Sequence, residues 1–227
     1  MDITSLAQGW REYDTKTLYV YAPSGLNMRE GPTVSHEKLT KIPYGAKVEL
    51  LVKSTKQDLT VDGLPGGMAK VMYNGYTGYT FDGYLSQFQP PKEGTTFKDY
   101  LELLRNDGHL VYYEEVSRDY DGYFQAEESL MIHQSYWYEA FLVARLLCKL
   151  PPSFNFPQPK DKEETSYKNP DKAEYSWSDE LVVGQENGKI AWIEYRYRAE
   201  ATGKVVRIAY GETDSNMIKI TELLIAD

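Results

Sequence analysis

Within Lys189–Glu200 apolar and charged residues alternate one for one from Ile193 onward. Ile193, Tyr195, Tyr197 and Ala199 fall on one side of an extended chain, and Glu194, Arg196, Arg198 and Glu200 fall on the other. That period of two is the pattern of a strand with one buried and one wet face. Similar stretches flank it: Leu181–Gln185 across the turn Asn187-Gly188, Lys204–Tyr210 after Thr202-Gly203, and Met217–Ala226 after Gly211–Asn216. A four-stranded antiparallel meander is therefore predicted from Asp179 onward. Upstream the period changes. Ser135 opens a helix that runs to about Lys149, with Trp137, Phe141, Ala144 and Cys148 on one face and Val143, Leu146, Leu147 and Leu150 on another. A helix this apolar is buried on most sides, here against the sheet, and Pro151-Pro152 ends it. A shorter helix starts at Thr96-Phe97-Lys98-Asp99, where hydroxyl and carboxylate are spaced to satisfy free amides reciprocally, and stops at Gly108. Leu110–Tyr113 and Tyr123–His133 read as strands around the turn Arg118–Gly122.

The first third of the chain has another texture. Short runs rich in Val, Leu, Tyr and Phe, namely Leu18–Ala22, Lys47–Ser54, Met68–Tyr73 and Thr77–Phe81, are separated by glycines and by Pro23, Pro32, Pro43 and Pro65. The prolines exclude helix, Asn74-Gly75 marks a hairpin, and Lys53–Gly67 reads as an exposed hairpin loop. These features predict a small β-barrel. The expected organisation is a lead-in over residues 1–16, with Trp10 and Tyr13 packing on the barrel, the barrel over 17–89, a linker over 90–96, and an α+β domain over 97–227. Gln89-Pro90-Pro91-Lys92-Glu93-Gly94 carries the boundary, because two prolines, a glycine and two charges make no core element. Within the second domain, Ser153–Ser178 is proline-rich and then charged, and reads as a long surface connection. The fold class is mostly β: a barrel followed by an antiparallel sheet packed by one or two helices.

Three phrases inside the barrel carry a resemblance. Leu26-Asn27-Met28-Arg29-Glu30-Gly31-Pro32, Ile42-Pro43-Tyr44-Gly45-Ala46-Lys47-Val48 and Tyr76-Thr77-Gly78-Tyr79 followed by Tyr84-Leu85 resemble, in order, the opening signature, middle turn and closing strand of the bacterial SH3-like domain. Two positions depart from that family. Met68-Ala69 precedes Lys70-Val71 where a tryptophan is usual, and Tyr79 stands where a second tryptophan is frequent. The resemblance implies a barrel that binds a cell-wall peptide or glycan, or an extended protein segment. It also implies an exported protein, periplasmic, extracellular or lipid-anchored, whose signal is not within this sequence, with a cytoplasmic location left open. In the family the counterparts of Asn27 and Arg29 are largely structural.

Composition narrows the chemistry. A formal net charge of −9 opposes nucleic-acid backbones and anionic membrane surfaces, and no apolar run is long enough to insert in a bilayer. The 20 tyrosines suit half-buried strand faces, and some of them suit a stacking groove. The groove candidates are Tyr21, Tyr44, Tyr76, Tyr79, Phe81 and Tyr84, with Asn27 and Arg29 as polar contacts. The single Cys148 sits on an apolar helix face without a neighbouring histidine, which points to core packing rather than a nucleophile. His36, His109 and His133 are too scattered for a local metal site. Glu114, Glu115, Asp119, Asp121, Glu127 and Glu128 crowd one hairpin; paired carboxylates serve glycoside cleavage, but a solvated acidic hairpin is the simpler reading. No catalytic residue, metal site or cofactor is assigned. The favoured function is a non-enzymatic binding or scaffold protein of the bacterial cell envelope. The alternative is a cell-wall hydrolase, with the barrel as its targeting arm and the α+β domain as its catalytic part.

Overall fold

The computed structural model describes residues 16–120, 123–133, 135–158, 160, 162–211 and 216–226. Trp10, Tyr13, Asp121 and the centre of the Gly211–Asn216 turn lie outside these residues. The chain divides after Pro90 into two compact units.

The described residues of the first unit form nine strands: β1 (Thr17–Val20), β2 (Leu26–Arg29), β3 (Lys38–Ile42), β4 (Lys47–Val52), β5 (Leu59–Val61), β6 (Leu64–Gly66), β7 (Met68–Tyr73), β8 (Tyr76–Phe81) and β9 (Leu85–Ser86). Seven form one antiparallel sheet in the order β3-β2-β8-β7-β4-β1-β9, and β5 pairs with β6 as a separate hairpin. Leu18, Val20, Met28, Ile42, Val48, Ala69, Val71, Leu85 and Phe88 are all nearly inaccessible. Among the described residues no α-helix of this unit covers them, so the sheet closes over its own apolar face, as a small barrel does. Asn74-Gly75 turns β7 into β8 with both residues at positive φ, the geometry of a two-residue hairpin. The Lys53–Gly67 excursion is the β5–β6 hairpin, turned by Asp62-Gly63 at φ 50 and 76°. Leu26–Arg29 and Lys38–Ile42 are also strands; β3 has only one buried residue, Ile42, and so gives little alternation to read.

The second unit holds α1 (Phe97–Asn106), β10 (Val111–Tyr120), β11 (Tyr123–His133), α2 (Trp137–Leu147), β12 (Glu164–Lys168), β13 (Ser178–Glu186), β14 (Lys189–Arg198), β15 (Thr202–Tyr210) and β16 (Met217–Ala226). The expected four-stranded meander is the middle of a seven-stranded antiparallel sheet, ordered β10-β11-β16-β15-β14-β13-β12. One pairing the sequence left open and two corrections follow. The hairpin β10–β11 belongs to this sheet: β11 pairs along its length with β16, from Phe124 opposite Ala226 to His133 opposite Met217. This pairing joins segments far apart in sequence, so no local pattern announces it. The first hairpin strand runs through Tyr120 rather than ending at Tyr113, and Arg118–Tyr120 is strand, not turn. The Ser153–Ser178 stretch is not all surface connection. Phe154 and Phe156 are buried against Tyr195 and Phe141, and Glu164–Lys168 adds β12 to the edge at β13. Its prolines and charges hide that strand, which exists because β13 supplies a ladder.

The core lies between this sheet and the helices. Leu130 and Ile132, Ile218 and Ile220, Val206 and Ile208, Ile193 and Tyr195, and Leu181 and Val183 are adjacent pairs in register on one face, all at most 5% exposed. Each aliphatic side chain buried this fully contributes about 1.5–3 kcal/mol relative to exposure. Every residue of α2 from Tyr138 to Ala144 is buried, in line with its apolar composition. Helix α1 is capped as its sequence predicts: Thr96 Oγ1 accepts the Asp99 N–H at 3.1 Å and Asp99 accepts the Thr96 N–H at 3.3 Å. The opposite sheet face is not uniformly wet. Glu194 is only 8% exposed, because Arg196 Nε donates to it at 2.6 Å and Arg207 Nη1 at 2.8 Å. The Arg207 guanidinium in turn lies 4.9 Å from the Trp192 ring.

Candidate functional site: a cleft on the barrel

The first unit carries a cleft of about 240 Å³. Its entrance wall is the turn Ala22–Leu26 followed by β2. Gly25 stands at φ 77°, its N–H donates to Ala22 C=O at 2.8 Å, and a Cβ there would lie 2.5 Å from the Ile42 carbonyl oxygen, so this turn requires glycine. Alternation along β2 sends Leu26 and Met28 into the core and leaves Asn27 exposed and Arg29 half-buried. Asn27 and Arg29 both line the cleft. Arg29 Nη1 also donates to the His36 carbonyl at 2.7 Å. Its charge is thereby held in place and ties down the loop that brings Val34 to the cleft.

The floor is aromatic. Phe81 ends β8 and Tyr84 ends the 3-10 turn Asp82–Tyr84; their rings meet edge-on at 6.4 Å. A Cβ on Gly83 would stand 2.1 Å from the Phe81 ring, so glycine is what lets the ring lie across that turn. The far wall is the β5–β6 hairpin, which contributes Val61 and Asp62. The Tyr84 hydroxyl donates to the Asp62 carboxylate. Asp82 is buried and its Oδ1 accepts the Gly67 N–H at 2.8 Å, which anchors the hairpin base to the floor. The result is an apolar floor with one cationic group, Arg29, and one anionic group, Asp62, along its sides.

Of the aromatic and polar candidates, Asn27, Arg29, Phe81 and Tyr84 come together here. Tyr21 does not: it is 2% exposed, its ring part of the barrel core and out of reach of a ligand. Tyr44, in the turn between β3 and β4, and Tyr76, beside the Asn74-Gly75 turn, are exposed but outside the cleft. Partial burial of the Tyr44 hydroxyl raises its pKa. Tyr79, opposite Arg29 and Lys70 in register, lies with its ring 5.9 Å from Lys70 Nζ, also outside. Asp62 and Val61 escape a reading that looks for aromatic repeats. The available signal was Asp62-Gly63, a turn dipeptide that places an acid at a hairpin tip.

Residues 24–86 match the family model of the bacterial SH3 domain. No family model matches the rest of the chain, so the similarity covers strands β2 to β9 of the barrel, but not β1, and almost all of its cleft. No curated protein matches the chain. No solved structure matches it either.

The remaining chemical candidates lie in the second unit, apart from His36. Cys148 is buried at the end of α2; burial, with the nearby Glu222 charge, pushes its thiol well above the ordinary range. Lys204 Nζ donates to the Cys148 carbonyl and pairs with Glu222 at 2.6 Å. The acidic hairpin divides between two sheet faces. Glu115 and Glu128 are opposite each other on one face; Glu115 pairs with Lys98 at 2.7 Å and Glu128 accepts the Tyr113 hydroxyl at 2.7 Å. The Lys98 partnership lowers the Glu115 pKa and raises that of Lys98. Glu114, on the other face, pairs with Lys219 at 3.0 Å. His36 belongs to the barrel, and His109 and His133 to the second unit. Among the described residues no group of three or more metal-ligating side chains gathers, and no helix is long and apolar enough to cross a membrane.

Proposed function

We propose that the barrel is a ligand-binding module that receives a short extended peptide, of the cell-wall or partner-protein kind, in the cleft between β2 and the β5–β6 hairpin, within a bacterial cell envelope. The carrying observation is convergence: Asn27, Arg29, Asp62, Phe81 and Tyr84 come from three separate segments of the 24–86 match and meet at one cleft. The chemistry suits a peptide. The half-buried Phe81 ring offers apolar area with few rotatable bonds, and the largely buried Tyr84 ring, 5% exposed, backs it. Arg29 and Asp62 offer opposite charges to a ligand bearing both a carboxylate and an amine. Asn27 offers an amide to its backbone. The cleft is smaller than ordinary small-molecule sites, which limits the buried area, so affinity is expected in the micromolar to millimolar range, about −8 to −4 kcal/mol.

The test is an NMR titration of the labelled full chain with soluble wall peptides and with unrelated extended peptides. Shifts are expected at Asn27, Arg29, Asp62, Phe81 and Tyr84. Phe81→Ala is expected to remove them, while Tyr76→Ala, outside the cleft, leaves them in place. Shifts confined to residues 97–227, or none with any peptide, would end this reading.

A further inference from the structure

We infer that the protein self-associates through β10, two copies pairing antiparallel about a two-fold axis at Val116 to join their seven-stranded sheets into one of fourteen strands. This inference concerns the second unit and does not depend on the barrel's ligand.

Strand β10 ends the sheet order. Its ladder with β11 is phased by the bond from the His133 N–H to the Leu110 carbonyl at 3.1 Å. Leu110 and every second residue after it therefore turn their backbone groups toward β11. Tyr113, Glu115, Ser117 and Asp119 turn theirs toward the open edge. The Val111 carbonyl, also on the edge, is met by the Arg105 guanidinium at 3.5 Å; beyond it the edge runs on to Tyr120. Among the described residues no further strand pairs with this edge, and a long unpaired edge is a template for another strand. Tyr112 and Val116, both on the face that also carries Glu114, are 46% and 44% exposed.

Charged edge strands usually discourage pairing. Here the charges select one register. Two-fold pairing of antiparallel strands is centred on a residue, and residues 114 to 118 give five choices. Centring on Glu114, Glu115 or Arg118 sets that residue opposite its own copy, like charge on like. Centring on Ser117 sets Glu115 opposite Asp119. Of these five, only centring on Val116 sets no like charges opposite: Glu114, which also pairs with its own Lys219, faces Arg118 twice, Val116 faces itself, and Glu115 faces Ser117; centring on Tyr113 also avoids like charges but overlaps only Val111–Glu115, where Arg105 meets the Val111 carbonyl. Those even-numbered pairs are the non-hydrogen-bonded ones, in which side chains approach most closely. The two copies of Glu115 then lie diagonally across the axis, each already neutralised by its own Lys98. The occupant this edge fits is therefore a second copy of the same chain.

Sedimentation of the full chain over about 1–300 µM tests this, a range that brackets dissociation constants of roughly micromolar to sub-millimolar order. A reversible monomer–dimer equilibrium is expected. Arg118→Glu acts at both symmetric pairs and is expected to raise the dissociation constant by about 10- to 100-fold. Glu114→Arg is expected to do the same, and the double exchange E114R/R118E to restore the dimer. Ser117→Pro removes an N–H that points to the open edge, not into the ladder, and is expected to give a folded monomer by circular dichroism. If that variant does not fold, the charge exchange decides. A monomer throughout the concentration range, a dimer indifferent to Arg118→Glu, or failure of the double exchange to rescue would each overturn the inference.

Discussion

Replacing Glu194 by alanine is the sharpest test of how the second sheet is held together. The Glu194 side chain is 10% exposed, whereas those of Arg196 and Arg207 are 40% and 46% exposed. A fully buried pair that loses one member costs about 3–5 kcal/mol, and an exposed pair about 0.2–1 kcal/mol. With half-exposed guanidiniums, solvent compensates much of the loss, so each of the two bonds counts near the upper end of the exposed range, about 1 kcal/mol. Two cations left without their shared carboxylate add about 1 kcal/mol of repulsion at a separation of several ångströms in a mostly aqueous dielectric. The expected destabilisation is therefore about 2–3 kcal/mol for Glu194→Ala. Glu194→Gln, which keeps shape and one acceptor, should cost about half as much. Urea unfolding followed by tryptophan fluorescence is suited to the measurement, because Arg207 stacks on Trp192 and the local signal reports the same cluster. A Glu194→Gln/Arg207→Gln double variant should lose less than the sum of its parts, since the partners share one interaction. A Glu194→Ala protein within about 0.5 kcal/mol of the parent, or strictly additive double-variant losses, would refute the view that one shielded carboxylate organises this face.

Cys148 should resist thiol reagents under native conditions and react only on unfolding, and rapid labelling of the folded chain would contradict its burial. Because its folded pKa is raised, Cys148 contributes stability that is fully present below the unfolded thiol value of about 8.5. Above that, stability should fall by up to about 1.4 kcal/mol per pH unit until the folded thiol ionises, and Cys148→Ala should abolish this component of the pH dependence. Thr96→Ala removes the hydroxyl that accepts the Asp99 N–H, leaving the Asp99 bond to the backbone N–H of residue 96, and should cost about 1 kcal/mol in chemical denaturation; no change would show the cap to be idle. Lys92, exposed just after the division at Pro90, should be an early tryptic site if 17–89 and 97–227 are separate domains, and a chain resistant there would speak against that proposal.

The elements of this protein were largely legible in its sequence because their signals are local. The Thr96–Asp99 cap, the Asn74-Gly75 and Asn187-Gly188 turns and the alternation of Lys189–Glu200 each depend on residues within one turn or one strand. The barrel's three phrases are local as well, and they were enough to name its family resemblance. Tertiary structure decided what meets what. The pairing of β11 with β16 joins residues some ninety positions apart, and its selectivity comes from matched apolar faces that no window contains. Strand β12 exists because β13 offers it a ladder, despite a proline-rich and charged approach. Glu194 looked wet by alternation and is shielded because Arg207, from the neighbouring strand, covers it. The aromatic candidates divided for the same reason: their sequence spacing placed all six on the barrel, but only sheet closure determined that Phe81 and Tyr84 floor a cleft while Tyr21 fills the core. Asp62 entered the site through the twist of a hairpin, since a turn dipeptide specifies its own bend but not the surface toward which it folds.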